Sequence, residues 1–227
     1  MANSNPTSPT IYPSSPYLTF DRVAWRALAA TTPLPLTASD VAGLRGVGET
    51  VDLDEVDTVL RPLSRLLCLH AAAAHQLHQA RRVFLQDQSA RIPYVIGIAG
   101  SVAVGKSTLA RLLATLMARW PDTPQVALVP TDGFLLSNAE LTRRGLMDRK
   151  GFPESYDRPG LLRFLSAIKG GAATAQAPTY SHLRYDIVPE QPTVVARPDI
   201  LIIEGLNVLQ PAPQSQRPSS AEPGGPG

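Results

Sequence analysis

From Phe20 to Gln86 apolar residues recur at helical spacing; beyond Tyr94 they close up into short continuous runs. Phe20-Asp21-Arg22-Val23-Ala24-Trp25 opens a short amphipathic stretch. Thr37-Ala38-Ser39-Asp40 has the form of a capping box, with Val41 and Leu44 after it. Asp52 to Gln86 reads as helix with a break, because Pro62 lacks the N–H an interior turn needs and ends or kinks the first segment. Beyond it, Leu63, Leu66, Leu67, His70, Ala74 and Leu77 fall on one face, the expected core face.

The later runs read as buried strands: Tyr94-Val95-Ile96-Gly97-Ile98-Ala99, then Val126-Ala127-Leu128-Val129, then Ile200-Leu201-Ile202-Ile203. Between the first two, Leu109, Leu112, Leu113, Leu116 and Trp120 repeat at helical spacing. Strand, helix and strand with long connections predict an α/β fold: a parallel sheet flanked by helices, preceded by a helical region. Residues 1–16, rich in Pro, Ser and Asn, are expected to form a loose arm, and residues 17–210 one domain. Residues 211–227, PAPQSQRPSSAEPGGPG, contain 11 that are Pro, Gly or Ser and cannot build core.

Composition narrows the partners. The chain is 44% hydrophobic and 18% charged with a net charge of +2, and it carries no long basic run, so nucleic acid is not an expected partner. No run approaches the ~18 apolar residues of a membrane span, and the polar start MANSNPTSPT lacks the regions of a signal peptide. A cytoplasmic protein without membrane association is the default. Cys68, the one cysteine, sits in an apolar run and reads as a small buried hydrophobe. His75 and His78 are three apart but lack a third ligand at metal-site spacing, so they read as helix surface or core edge.

Chemistry concentrates in Gly100-Ser101-Val102-Ala103-Val104-Gly105-Lys106-Ser107-Thr108, of the form G-x-x-x-x-G-K-[ST]. A strand precedes it and a helix follows, the context a phosphate-binding loop requires. Gly100 and Gly105 let the backbone turn its N–H groups inward, and the helix adds the positive end of its dipole. Lys106 is placed for the β- and γ-phosphates, and the Ser107 hydroxyl for Mg²⁺. There is no N-K-x-D for guanine and no transporter-type L-S-G-G-Q. Asp157-Arg158-Pro159-Gly160 matches D-x-x-G only formally and reads as a turn. Asp132 and Glu204 each follow a strand, where ligands of open α/β sheets bind. One carboxylate can take a proton from an attacking hydroxyl and the other hold the Mg²⁺ shell. ATP-dependent phosphoryl transfer to a small hydroxyl compound follows, with the compound unnamed.

GSVAVGKST, TDGF, RGLMDRKGFPESYD, YSHLRYDIVP and PDILIIEGLNVLQ, in this order, resemble the bacterial type I pantothenate kinases, as does the stretch from Pro62 to Leu67. The resemblance runs from about Tyr17 to Gln210. It implies a homodimeric P-loop kinase that phosphorylates pantothenate with MgATP to 4'-phosphopantothenate, the first step of coenzyme A synthesis, under feedback inhibition by coenzyme A. It implies that residues Gly100 to Thr108 hold the ATP and that Lys106 touches the transferred phosphoryl group and contributes to coenzyme A binding. Asp132 is then the base at the pantothenate hydroxyl, and Tyr180 and His182 line the pantothenate and coenzyme A pocket. It gives no role to Arg149–Asp157. A nucleoside or sugar-phosphate acceptor is the alternative, and YSH and RGLMDRKGFPESYD argue against it.

Three departures stand out. Pro130 replaces an expected threonine and costs an N–H at a strand end. Cys68 and His70 replace asparagine and tyrosine. The family continues for roughly a further third of a chain after EGLNVLQ, with a transition-state arginine and groups that close over pantothenate. A shifted frame or premature stop is one expectation for the 211–227 tail. Another is weak or absent kinase activity of a nucleotide-binding fragment, with apolar surface exposed near Ile200–Leu209 and an open strand edge.

Overall fold

The three apolar runs do form one parallel sheet, and the last of them is its centre. The computed structural model describes residues 10–11, 17–46, 49–121, 123, 125–206 and 208; the expected tail at 211–227 and most of the expected arm lie outside the described residues. Strands β1 (Thr10–Ile11) and β2 (Leu18–Thr19) pair antiparallel. Helices α1 (Arg22–Ala27) and α2 (Ala38–Leu44) follow. Asp21 caps α1, and the Thr37–Asp40 capping box is formed in both directions.

The break expected at Pro62 takes a particular form. Helix α3 (Leu53–Glu55) runs into a π-helical turn, Val56–Leu60, and then into α4 (Arg61–Leu85), with Pro62 in its first turn. The first turn is where proline's missing N–H costs nothing within the helix, so the wider turn in front of it keeps one continuous rod.

The core face of that rod is not the leucine stripe. Leu60, Ser64, Cys68 and Ala71 are buried, whereas Leu66, His70 and Leu77 are exposed; Leu63 and Leu67 are partly buried. Small residues at 64, 68 and 71 let α4 approach the sheet layer closely, and close packing outweighs side-chain hydrophobicity in choosing the face. Cys68 is buried, with Sγ 3.6 Å from Thr123 Oγ1.

Next come β3 (Tyr94–Ala99), α5 (Lys106–Ala118), β4 (Val126–Pro130), α6 (Asn138–Arg143) and α7 (Arg158–Lys169), then the antiparallel hairpin β5 (Thr174–Ser181) and β6 (Asp186–Ala196), and β7 (Ile200–Gly205). The main sheet has the order β3-β7-β4, all parallel. Every residue of β7 is buried. Ile200 and Ile202 pack with Leu112, Leu113, Leu116 and Met117 of α5, while Leu201 and Ile203 meet Val129, Phe134, Phe164 and Ile168 on the other face. Burying each of these side chains contributes about 1.5–3 kcal/mol.

This corrects the expected exposure at Ile200–Leu209: Ile200–Gly205 is fully buried, and Leu209 lies outside the described residues. Among the described residues, β3 and β4 each have one strand neighbour in the main sheet. Pro130 ends β4, and the ladder stops there at Pro130 opposite Glu204, so the missing N–H leaves no interior bond broken.

Candidate active site

The central strand sets the geometry. Glu204 stands level with Ile98, just before the phosphate loop, and with Pro130, just before Thr131-Asp132. The two crevice-forming turns therefore leave the sheet on either side of one carboxylate. Gly205 allows this: a Cβ there would come within 1.8 Å of Thr131 Oγ1. Gly133 is equally constrained, since a Cβ would fall 1.9 Å from the Pro178 carbonyl oxygen. That contact seats the Thr131–Phe134 3₁₀ turn on the β5–β6 hairpin.

Within the loop, Gly105 has φ 82° and takes the left-handed region, as expected. The other left-handed residue is Ala103, at φ 60°, not Gly100. Gly100 is needed for space: its Cβ would lie 3.1 Å from Val104 Cγ2 and 3.2 Å from Lys106 Cδ. Helix α5 begins at Lys106 with no side chain capping its first turn, which leaves N–H donors for an anion. Lys106 Nζ donates to the Ser101 carbonyl at 2.5 Å. Val102 and Val104 stand exposed on the loop.

Ser107 Oγ donates to Glu204 Oε1 at 2.9 Å, and Glu204 is only 6% exposed. A hydroxyl and a carboxylate side by side are the hard-oxygen donors Mg²⁺ takes. Thr108 behaves differently from its neighbours. Its hydroxyl is buried and accepts from the Gly46 N–H at 3.1 Å and Arg111 Nη2 at 2.8 Å, so it is not free for a phosphate.

Asp132 faces the same crevice from the 3₁₀ turn. Tyr156 donates its phenol to Asp132 Oδ1 at 3.4 Å. Burial, then the charge of Asp132, then that of Glu204 push the Tyr156 phenol far above its ordinary value, so it stays a neutral donor. The Tyr180 phenol is also raised, first by burial, and it feels Asp132 too. Tyr180 meets the His182 ring edge-on at 5.1 Å and the Tyr185 ring at 6.3 Å. Tyr180 is half-buried and His182 exposed.

Two residues of the wall were not singled out from sequence. Lys150 lies 3.9 Å from the Tyr185 ring and 5.2 Å from that of Tyr180, and donates to Asn138 Oδ1 and the Tyr185 carbonyl, each at 2.6 Å. Burial draws its ammonium below the ordinary lysine value, against the pull of Asp186. Tyr156 is the other. Both come from Arg149–Asp157, where charge alone reads as a solvated loop. Within it, Arg149 pairs with Glu154 at 2.7 Å. Asp157, read as part of a turn, caps α7 by accepting from the Gly160 N–H at 2.9 Å.

Among the described residues no group of three or more His, Cys, Asp or Glu side chains is arranged to bind a metal ion. His75 Nδ1 meets Arg91 Nη2 at 2.5 Å, and Arg91 in turn pairs with Asp199 at 2.8 Å.

A phosphate loop between a parallel strand and a helix, with carboxylates at the ends of two neighbouring strands, defines a P-loop kinase fold. A family model described as Phosphoribulokinase / Uridine kinase family matches residues 95–211, over half of the chain. A solved structure from Silicibacter sp. TM1040, described provisionally as a fructose transport system kinase, superposes with a TM-score of 0.50 at 31% identity over 63% of this chain and 66% of that one. Among curated proteins, the pantothenate kinase of Nocardioides sp. is 60% identical over 200 residues, 88% of this chain and 61% of that one. That of Streptomyces coelicolor is 60% identical over 201 residues, 88% of this chain and 61% of that one. The pantothenate kinase of Clavibacter sepedonicus is 55% identical over 213 residues, 93% of this chain and 67% of its own length. The chain therefore belongs to the bacterial pantothenate kinases within the phosphoribulokinase/uridine kinase family. It spans about three fifths of the length of several of these relatives.

Proposed function

We propose that this chain carries the ATP end and much of the acceptor end of a pantothenate kinase. The observation that carries the reading is one crevice in which Ser107–Glu204, the Lys106 ammonium and the Asp132–Tyr156 pair surround the exit of the central strand. The loop amides of Gly100 to Ser107 hold the ATP phosphates, and Lys106 swings from the Ser101 carbonyl to the transferred phosphoryl group. Ser107 and Glu204 hold Mg²⁺, which supplies charge neutralisation at the phosphates. Asp132 accepts the proton of the pantothenate primary hydroxyl as its oxygen bonds to the γ-phosphorus and the bond from that phosphorus to the β–γ bridging oxygen breaks, leaving ADP. Tyr156 orients Asp132 and, staying protonated, does not compete for that proton. Tyr180 and His182 form the wall beside the acceptor. Lys150 uses two of its three N–H donors within the protein and has one to give the pantothenate carboxylate.

The reading extends to coenzyme A as a feedback inhibitor reaching the same wall and Lys106, and to a cytoplasmic location. Among the described residues, no helix is long and apolar enough to cross a membrane. It also extends to a homodimer. Leu66, His70, Ala73, Leu77, Ala80 and Phe84 on α4 are all exposed and follow four-three spacing, the seam of a coiled coil. Leu77 and Phe84 are 72% and 84% exposed, which a second copy's α4 would cover.

The other reading raised by the sequence is nucleotide binding without efficient transfer. Pantothenate-dependent ADP release separates the two, with uridine as the competing acceptor. Turnover with pantothenate supports the kinase reading. MgATP binding without turnover supports the second, and turnover with uridine alone would sink the acceptor assignment.

A further inference from the structure

Thr108 is the member of the phosphate-loop motif whose side chain turns away from the crevice. It lies in the first turn of α5 and is 1% exposed. Its hydroxyl accepts from the Gly46 N–H and from Arg111 Nη2. Arg111 reaches on to the Leu44 carbonyl with Nε at 2.8 Å. Gly46 and Glu49 close a small turn: the Gly46 N–H donates to Glu49 Oε2 at 3.0 Å, and the Glu49 N–H to the Gly46 carbonyl at 3.2 Å. The Thr108 hydroxyl and the Gly46 amide, in that order, hold the Glu49 carboxyl below its ordinary value, so it is a fixed anion. A Cβ on Gly105 would lie 4.0 Å from Glu49 Oε1, so this carboxylate stands beside the phosphate loop itself.

We infer that Thr108 is a positioning residue for nucleotide binding: its hydroxyl latches Gly46, and through it Glu49, to helix α5 and so holds the Glu49 carboxylate beside the phosphate loop at Gly105. The inference rests on the nucleotide reading of that loop. The physical cause is preorganisation. Gly46 and Glu49 lie beyond α2 in no helix or strand, so the bond from α5 to Gly46 helps fix their place at the loop. With the latch intact that ordering is complete before nucleotide arrives; without it, binding must order the turn and affinity falls. The hydroxyl serves the bonds to Gly46 and Arg111, so a single substitution removes both, and valine, of nearly the same shape, does so without leaving a cavity.

The test compares wild type, Thr108→Val and Thr108→Ser. MgATP and pantothenate dissociation constants are measured by calorimetry at 20 °C, with thermal midpoints taken in parallel. The inference expects Thr108→Val to weaken MgATP about tenfold, pantothenate to stay within about twofold, and Thr108→Ser to restore MgATP affinity. A purely structural role would lower the midpoint and leave the MgATP constant unmoved, or weaken both ligands together; either result overturns the latch. Failure of serine to restore affinity overturns it as well. No MgATP binding by the wild type overturns the nucleotide reading and the latch with it, whereas the other adverse outcomes leave that reading standing.

Discussion

Replacing Lys150 with methionine isolates one feature of the acceptor wall, the charge of this ammonium. The ammonium has three N–H donors, two of which go to Asn138 Oδ1 and the Tyr185 carbonyl at 2.6 Å. The third is available to a ligand. A charge-assisted hydrogen bond contributes about 1.5–3 kcal/mol net, or roughly 10- to 150-fold in a dissociation constant. Methionine keeps an unbranched side chain of similar length without the charge, and Asn138 Nδ2 still donates to the Tyr185 carbonyl at 3.0 Å, so the wall keeps its shape. The assay is calorimetric titration with pantothenate and with its alcohol analogue, which has the same reacting hydroxyl and no carboxylate. Lys150→Met is expected to weaken pantothenate by that factor, leave the alcohol within about twofold, and leave MgATP unchanged. Equal weakening of acid and alcohol would show that Lys150 supports the wall rather than reads the carboxylate, and the reasoning would fail.

Other outcomes follow from the same structure. Leu77→Glu with Phe84→Glu should convert a dimer to a monomer by light scattering with little change in nucleotide binding, because both side chains are exposed within one copy; a dimer that persists would place the interface elsewhere. Gly133→Ala should lower the thermal midpoint and weaken pantothenate, since the added Cβ meets a backbone carbonyl at 1.9 Å and overpacking of this kind costs about 1–3 kcal/mol. His75 should make stability fall in mild acid. Burial first, then Arg91, hold its folded pKa below the ordinary value. The unfolded chain therefore binds more protons as pH drops through about 6.5, and stability is lost in that direction. A urea-midpoint series from pH 7.5 to 5 should show a smaller slope for His75→Gln than for wild type; identical slopes would remove His75 from the account.

The strands were legible because parallel strands buried on both faces leave continuous apolar runs, and Ile200–Ile203 is the plainest of them. Their order was not. Nothing local in Ile200–Ile203 says it pairs with both β3 and β4, so the exposure expected near it is replaced by burial. The β5–β6 hairpin escaped notice because Pro178, Pro189 and Pro192 interrupt its pattern. The structure accommodates Pro178 at a register shift between Ala177 and Thr179. The turn His182–Tyr185 also lacks glycine or asparagine, although Tyr185 has φ 52°. On α4 the large apolar residues mark an exposed seam, while Ser64, Cys68 and Ala71 mark the core, a choice set by helix packing and not by hydropathy.

The candidate site divides in the same way. Asp132 and Glu204 were visible because a carboxylate directly after a buried strand has a known place in an α/β crevice. Lys150 and Tyr156 were not, because a charged, irregular segment gives no period from which to read which side chains turn inward. Thr108 was grouped with the phosphate ligands by motif, and its hydroxyl is engaged by Gly46 and Arg111.

The central claim, that Asp132 and the phosphate loop together transfer a phosphoryl group to pantothenate, meets its most direct test in one measurement. Purified wild type and Asp132→Asn are each incubated with MgATP and pantothenate, and 4'-phosphopantothenate is quantified by mass spectrometry over time. The account predicts product from wild type and a rate lower by about 10²–10⁴-fold in Asp132→Asn, with MgATP affinity unchanged. Product formed at the same rate by both proteins would contradict it.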